Sequence, residues 1–448
     1  MAKISNVLNK MRRLNTFQII IIGYIMVILV GTLLLMLPIS TRGDGGAPVF
    51  TALFTSTSAA CVTGLVVQDT ATYWSEFGQF MIMLLAEVGG LGSVTVTAWF
   101  AILSGRKIGL MQRSTMQEAI SAPKVGGVVK LAGFILKVTL VTELIGALMM
   151  MPVFCADFGV GRGIWYSVFH SISAFCNAGF DLMGINQQFS SLTAYEANPL
   201  VNLAVMMLIT MGGIGFLTWD DMRVNKFNIR KYRMQTKVIF VITAILIVLP
   251  FFYFFLCEFS GVPTVDKIWD SMFLTVTSRT AGYNSVDLNT LSETGIAIVI
   301  ILMLIGGAPG STAGGIKVTT VAVFFAAAMS VFRRRDYAKF FGRRISDDTV
   351  KQAATVILMY IVLLLAGTLI ICSVEGLPLL TCLFEAASAI GTVGLTLGIT
   401  PQLGAISKVI LIILMFFGRA GGLTLIFATV SGTQTNLSKL PQEKITVG

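Results

Sequence analysis

The sequence predicts an all-α membrane protein. Eight transmembrane helices and four re-entrant half-helices form four helix–half-helix–helix repeats around one pseudo-fourfold axis. Three observations predict it: the composition, the placement of basic residues, and one short segment that recurs four times. Apolar residues make up 55% of the 448 residues and charged residues 12%, about half the charged share of a soluble domain. Apolar stretches long enough to cross about 30 Å of hydrocarbon recur along the whole length.

The net charge is +10, but its distribution excludes nucleic acid as the partner. Most Lys and Arg fall in five regions: Lys3 to Arg13, Arg106 to Lys137, Arg223 to Lys237, Arg333 to Lys351, and Lys439 with Lys444. The segments between them instead carry Asp44, Asp69, Glu76, Asp157, Asp181, Glu196, Asp266, Asp270, Asp287 and Glu293. By the positive-inside rule the basic regions face the cytoplasm. Both termini are then cytoplasmic and the number of crossings is even. The first apolar run, Phe17 to Pro38, is too long for the core of a secretory signal and has no small-residue cleavage site after it, so it is expected to be the first crossing.

The recurring segments place Phe54, Ser58, Gly64 and Leu65 in register with Phe169, Ser173, Gly179 and Phe180, with Met272, Val276, Gly282 and Tyr283, and with Phe384, Ser388, Gly394 and Leu395. Each lies between two apolar stretches, on the side poor in basic residues. The stretches are 17–38 and 77–103, 129–153 and 200–218, 238–257 and 294–332, and 349–372 and 406–430. Eight crossings agree with the even count from charge. Small residues also serve helix packing, so one such segment would carry little; four in one orientation carry the reading.

A half-helix of about ten residues covers only about 15 Å, so it must enter and leave from one face. Irregular backbone at that depth is tolerated where it is buried in protein or lines a watery cavity. The C-terminal end of each half-helix carries partial negative charge. Glycine accepts the positive φ needed to turn carbonyl oxygens inward. Four such strands around an axis would replace the hydration shell of a bare cation.

At these residues the chain resembles the Trk/Ktr/HKT superfamily of potassium transporters, and within it the bacterial Ktr membrane subunit of the KtrB or KtrD type. The resemblance covers essentially the whole chain. Its strongest signatures run from Leu37 to Ser40, Val62 to Leu65, Ile172 to Phe180, Arg279 to Tyr283, Gly314 to Lys317 and Gly391 to Thr396. Trk-type subunits carry two further N-terminal helices, which favours the Ktr type. The family implies M1–pore helix–M2 repeats around one pseudo-fourfold pore, with one selectivity-filter strand per repeat. Carried onto this chain, the strands are Cys61, Val62, Thr63 and Gly64; Cys176, Asn177, Ala178 and Gly179; Arg279, Thr280, Ala281 and Gly282; and Gly391, Thr392, Val393 and Gly394. Four glycines go with potassium preference in the family. The second and third strands depart from the potassium-channel sequence, which leaves sodium leak open.

Gly306, Gly307, Ala308, Pro309, Gly310, Ser311, Thr312, Ala313, Gly314 and Gly315 interrupt the last stretch of repeat three. Such a run cannot continue a helix undisturbed. It is expected to split the helix around a midplane loop, the kind of break found at ion pathways. The family places a mobile gate there. Arg419, deep in the last apolar stretch, needs a partner or a cavity. It is expected across the pore from this loop, bonding its carbonyls as an electrostatic barrier; the alternative is snorkelling to the inner surface. Arg279 and Glu385 are expected to pair behind the filter. Lys317 is expected near loop carbonyls and His170 in packing. Glu87 and Glu143 have no assigned role beyond helix–helix hydrogen bonding.

The six cysteines show no metal-ligand spacing. The lone His170 and the absence of a nucleophile–base constellation argue against an enzyme. A solute transporter with inverted repeats is the competing reading, against which all four repeats run the same way. The resulting division is a cytoplasmic N-terminus 1–16, repeats at 17–105, 128–220, 237–334 and 348–432, and a cytoplasmic tail 433–448. The family further implies a homodimer in the cell membrane. It also implies a separate cytosolic ring of RCK-type nucleotide-binding subunits, KtrA/KtrC-like, that takes ATP or ADP. The ions implied are K+ in the filter and Na+ as an activator. The basic loops Arg223 to Lys237 and Arg333 to Arg344 are the docking surface for that ring, or topology determinants that contact anionic lipid. The tail after Leu440 is a candidate contributor to the dimer.

Overall fold

In the computed structural model the described residues are 16–92, 109–120, 126–185, 187–226, 228–422 and 424. The N-terminal basic cluster and the tail beyond 424, with its expected dimer contribution, lie outside them. The chain repeats one pattern four times: a long helix, a short helix, a non-helical strand and a second helix. The first repeat is α1 (Thr16–Leu35), α2 (Val49–Ala60) and α3 (Glu76–Leu91), followed by α4 (Leu110–Ile120). The second is α5 (Val128–Phe158), α6 (Val160–Phe175), α7 (Pro199–Gly213) and α8 (Phe216–Asn225). The third is α9 (Met234–Tyr253), α10 (Thr264–Thr277), α11 (Glu293–Leu304) and α12 (Val318–Phe332). The fourth is α13 (Asp347–Glu375), α14 (Leu379–Gly391) and α15 (Ala405–Ala420).

Among the described residues four helices are long and apolar enough to span a bilayer: α1, α5, α9 with its extension to Glu258, and α13. They are the leading helices of the four repeats. Their outward faces expose Leu33, Leu144, Leu249, Leu358 and Leu369, a surface suited to hydrocarbon rather than water. The short helices sit inside this shell. They are rich in hydroxyls yet buried, including Ser56, Ser171, Ser173, Thr275, Thr277 and Ser388. Lipid offers such groups no hydrogen bonds, so the protein supplies them. Ser56 donates to the Ile28 carbonyl at 2.8 Å and Ser171 to the Glu143 carbonyl at 2.5 Å.

The second helices start at caps. Ser75, Asn198 and Ser292 each accept backbone N–H bonds from the first turn. They are interrupted at glycines, and the reading of 200–218 as one straight crossing is corrected here; the parts of 77–103 beyond Gly92 and of 406–430 beyond Thr424 lie outside the described residues. The stretch 200–218 does not run straight: α7 and α8 meet at 92°, turning at Gly215 with φ +93°. Similarly α3 ends at Gly92 and α15 at Gly421, both at positive φ. The interruption expected in repeat three alone therefore has counterparts at the same place in the other three. Among the described residues it widens into a loop in repeat three, between α11 and α12. One further departure from an all-helical chain is a two-stranded hairpin pairing Lys339 with Arg344 and Phe340 with Arg343.

Candidate functional site

Each short helix ends by handing its chain to a strand whose first free amide folds back. Thr63 N donates to Ser58 O at 2.8 Å and Ala178 N to Ser173 O at 2.7 Å. Ala281 N donates to Thr277 O at 3.0 Å and Val393 N to Ser388 O at 2.9 Å. These bonds satisfy amides that would otherwise be orphaned at depth.

The backbone then takes the same unusual course four times. Val62, Asn177, Thr280 and Thr392 have φ of +58°, +59°, +70° and +52°. Two residues later Gly64, Gly179, Gly282 and Gly394 have φ of +87°, +68°, +83° and +95°. The residue between them is on the ordinary side in every strand. Alternating handedness turns successive carbonyls to one side, where an extended strand would alternate them. Positive φ at β-branched Val62, Thr280 and Thr392 is strained, so the surrounding packing holds it.

The four strands meet. A Cβ placed on Gly64 would lie 3.1 Å from the Gly179 Cα; one on Gly179, 3.2 Å from the Gly282 Cα. One on Gly282 would lie 3.1 Å from the Gly394 Cα, and one on Gly394, 3.1 Å from the Gly64 Cα. The contacts close a ring in chain order, and each would also press on a carbonyl oxygen of the next strand: Ala178, Ala281, Val393 and Thr63. At this ring any side chain is excluded.

The segment Gly306 to Gly315 packs beneath the second strand. Ala308 N donates to Gly213 O at 2.9 Å, Phe216 N to Gly310 O at 2.7 Å, and Thr312 N to Gly212 O at 3.2 Å. Thr312 Oγ1 lies 3.1 Å from Phe175 O and 3.0 Å from Asn177 Oδ1. Ala308, Thr312 and Ala313 are buried. Lys317 caps the loop end, its Nζ donating to Ala313 O at 2.6 Å. Arg419 donates to the carbonyls of Thr312 and Gly89, and to Gly90 O at 2.7 Å.

The expected Arg279–Glu385 pair does not form. Glu385 accepts from Thr396 Oγ1 at 2.8 Å and from Thr400 Oγ1, both on its own repeat's outgoing strand. Arg279 instead lines a small cavity with Thr210, Gly213, Thr243 and Gly307, and its Nε has no hydrogen-bond partner. The two side chains leave the ring in different directions, so adjacency of their repeats brings no contact.

His170 is a packing residue: Leu182 N donates to its Nε2 at 3.3 Å, and Nδ1 lies 2.7 Å from Tyr166 O. Glu87 and Glu143, which have no role in the sequence analysis, meet the filter residue Cys176, and the ligand atoms of the three lie within 4.8 Å of one another. Cys176 Sγ donates to Glu87 at 3.1 Å. Two carboxylates in apolar helices were the signal; only the tertiary fold shows that they face each other. Asp69 was noted only as an outer charge. It caps the turn Thr70–Tyr73 and accepts from Phe189 N at 2.9 Å, tying repeats one and two together.

Comparison with known proteins identifies the family of the chain. The family model described as TrkH, cation transport protein, matches residues 3–439. The potassium/sodium uptake protein NtpJ of Enterococcus hirae is 37% identical over 449 residues, covering 98% of each chain. The Ktr system potassium uptake protein B of Bacillus subtilis is 37% identical over 437 residues, covering 96% of each. The crystal structure of the potassium transporter TrkH from Vibrio parahaemolyticus superposes with a TM-score of 0.73. It covers 93% of this chain and 84% of its own, at 18% identity, a likeness of fold. With its several apolar helices this is a multi-pass membrane protein, and the chain belongs to the TrkH/Ktr family of cation transport proteins.

Proposed function

We propose that this chain takes up potassium across the cell membrane by channel-like conduction through the four strands ending at Gly64, Gly179, Gly282 and Gly394. The observation that carries the reading is the closed ring those glycines form. Only a ring can present carbonyls to a dehydrated ion from all sides at once. The bend in each strand, positive at two residues and ordinary between them, is what turns the oxygens inward. The four short helices aim the negative ends of their dipoles at the same centre. Relatives named for potassium uptake, and in one case for potassium and sodium, agree with a monovalent cation as cargo.

In this reading the second helices complete eight crossings, the short helices are re-entrant, and both termini are cytoplasmic. The Gly306 to Gly315 loop is a gate beneath the filter. It is fixed to α7 by backbone bonds and to the second strand by Thr312. Arg419 holds a positive charge beside it. A cation passing the loop meets that charge in a medium of low dielectric, where repulsion is strong. Relatives named for the Ktr system agree with a separate regulatory subunit; in this proposal it is cytosolic, binds ATP or ADP and sets the gate. Assembly as a homodimer is part of the same proposal. Sodium acts as a competing ion or activator.

The test is flux from liposomes holding the purified chain, in potassium and in sodium, with and without the cytosolic partner. Potassium flux above sodium flux, altered by the partner with nucleotide, is the expected result. Equal movement of a neutral solute, with no cation preference, would overturn the reading.

A further inference from the structure

The connection between α6 and α7, the α10 helix and the strand leaving Gly282 border an open cavity of about 570 Å3. Its lining includes Glu196, Asp270, Asn284 and Ser285. Asp270 is 1% exposed, yet neither of its carboxylate oxygens has a hydrogen-bond partner. Ser285 Oγ, on a residue 2% exposed, and Asn284 Oδ1 are also unpartnered. The nearest charged neighbour of Asp270 is the Glu196 carboxylate, and two such groups face to face are costly unless a shared proton or a cation stands against them.

The surroundings favour a cation. Glu196 brings a second carboxylate to the same cavity, and Asp266, one turn earlier on α10, adds a third acidic group nearby. No basic side chain lines the cavity. The adjacent Lys267 lies over the Phe255 ring, 4.5 Å from its centroid. Asp287, which also lines the space, is engaged in capping through Asn289 N at 3.0 Å. The walls are fixed without any ion: Leu192 N donates to Asn284 O at 2.9 Å and Asn284 N to Ser191 Oγ at 3.1 Å.

We propose that Asp270, Glu196, Asn284 and Ser285 form a binding site for a divalent hard cation of the calcium class. The donors are all oxygens, which select hard cations over zinc or copper. Two carboxylates balance a divalent charge and would overcompensate sodium. Calcium accepts six to eight oxygens in irregular geometry and magnesium demands an octahedron; the cavity leaves room for the waters that complete a calcium shell. An ion held there would clamp the repeat-two connection to the strand that leaves Gly282.

The experiment uses the full chain in lipid nanodiscs and calcium alone as the probe. Equilibrium dialysis with radiolabelled calcium should find one ion per chain. Affinity should fall by about tenfold or more in Asp270→Asn and in Glu196→Gln, and calcium should raise the thermal midpoint of the native chain but not of these variants. Asp44→Asn, at an exposed position, should bind as the native chain does. If Asp270→Asn does not fold, Glu196→Gln decides. No stoichiometric calcium in the native chain, undiminished binding in Glu196→Gln, or tighter binding of sodium than of calcium would each overturn the assignment. Dialysis reads binding and liposome flux reads transport, so either reading can fail alone.

Discussion

Arg419 of α15 donates a hydrogen bond to the backbone carbonyl of Thr312. The same guanidinium reaches the end of α3 in repeat one, through Gly89 and Gly90. The Thr312 hydroxyl stands against Phe175 and Asn177 in repeat two. Two residues thus join all four repeats below the glycine ring. Arg419 also occupies the place that a second glycine takes in the other repeats: Gly90, Gly213 and Gly307, each after Gly89, Gly212 or Gly306.

Neutralising this arginine should open the path. A fixed unit charge about 10 Å from a passing cation adds roughly 1.5 kcal/mol at an effective dielectric of about 20. Arg419→Gln should therefore raise potassium flux about tenfold in the absence of the cytosolic partner. Deleting 308–313, which removes Thr312, should raise it as well and abolish the partner's effect. Liposome flux checks both, and unchanged flux in both contradicts the gate.

Adding one methyl group to the ring should stop conduction. Gly282→Ala places Cβ against the Val393 carbonyl at a φ of +83°, a backbone conformation that costs alanine about 1 kcal/mol or more. Flux should fall at least tenfold, while Gly43→Ala, with nothing within 4 Å of the new atom, should leave it unchanged.

Exchanging charges between Arg279 and Glu385 should not restore function, because the two do not touch. Glu385→Gln, whose amide oxygen still accepts from Thr396 or Thr400, should keep more folded protein than Glu385→Ala. Leaving buried hydroxyls without acceptors costs about 1–3 kcal/mol. Thermal unfolding in detergent separates these outcomes; rescue by the double exchange would contradict the geometry.

External pH should modulate uptake through Asp181, in the connection between α6 and α7. Burial, reinforced by the Asp69 charge and opposed by the Met183 amide, raises this carboxyl to about 7. It is neutral below that pH and gains a negative charge as pH rises through it, drawing cations to the mouth. The sign for stability is opposite. The folded state holds a proton that the unfolded state has lost, so stability falls as pH rises from about 4 towards 7. Uptake should rise across pH 6–8 in the native chain and be flatter in Asp181→Asn, measured as initial flux.

The repeats were legible because the same chemical demand, a glycine after a half-helix, is written four times at one spacing. The loop of repeat three was legible because a glycine-rich run with a proline leaves no helical alternative. The bend at Gly215 was not, since a single glycine in an apolar stretch reads equally as packing. The Arg279–Glu385 pairing failed for a different reason: order around an axis fixes neighbours, but not the rotamer by which a side chain leaves the backbone. Glu87, Glu143 and Cys176 come from two helices and the end of a third, in two repeats, and no local pattern announces their meeting.

The most direct test of the account is to locate the ion. A crystal or cryogenic structure grown in thallium, a heavy substitute for potassium, should show ion density on the axis bounded by Gly64, Gly179, Gly282 and Gly394. Thallium found elsewhere in the membrane domain, with that axis empty in a protein that still conducts, would contradict it.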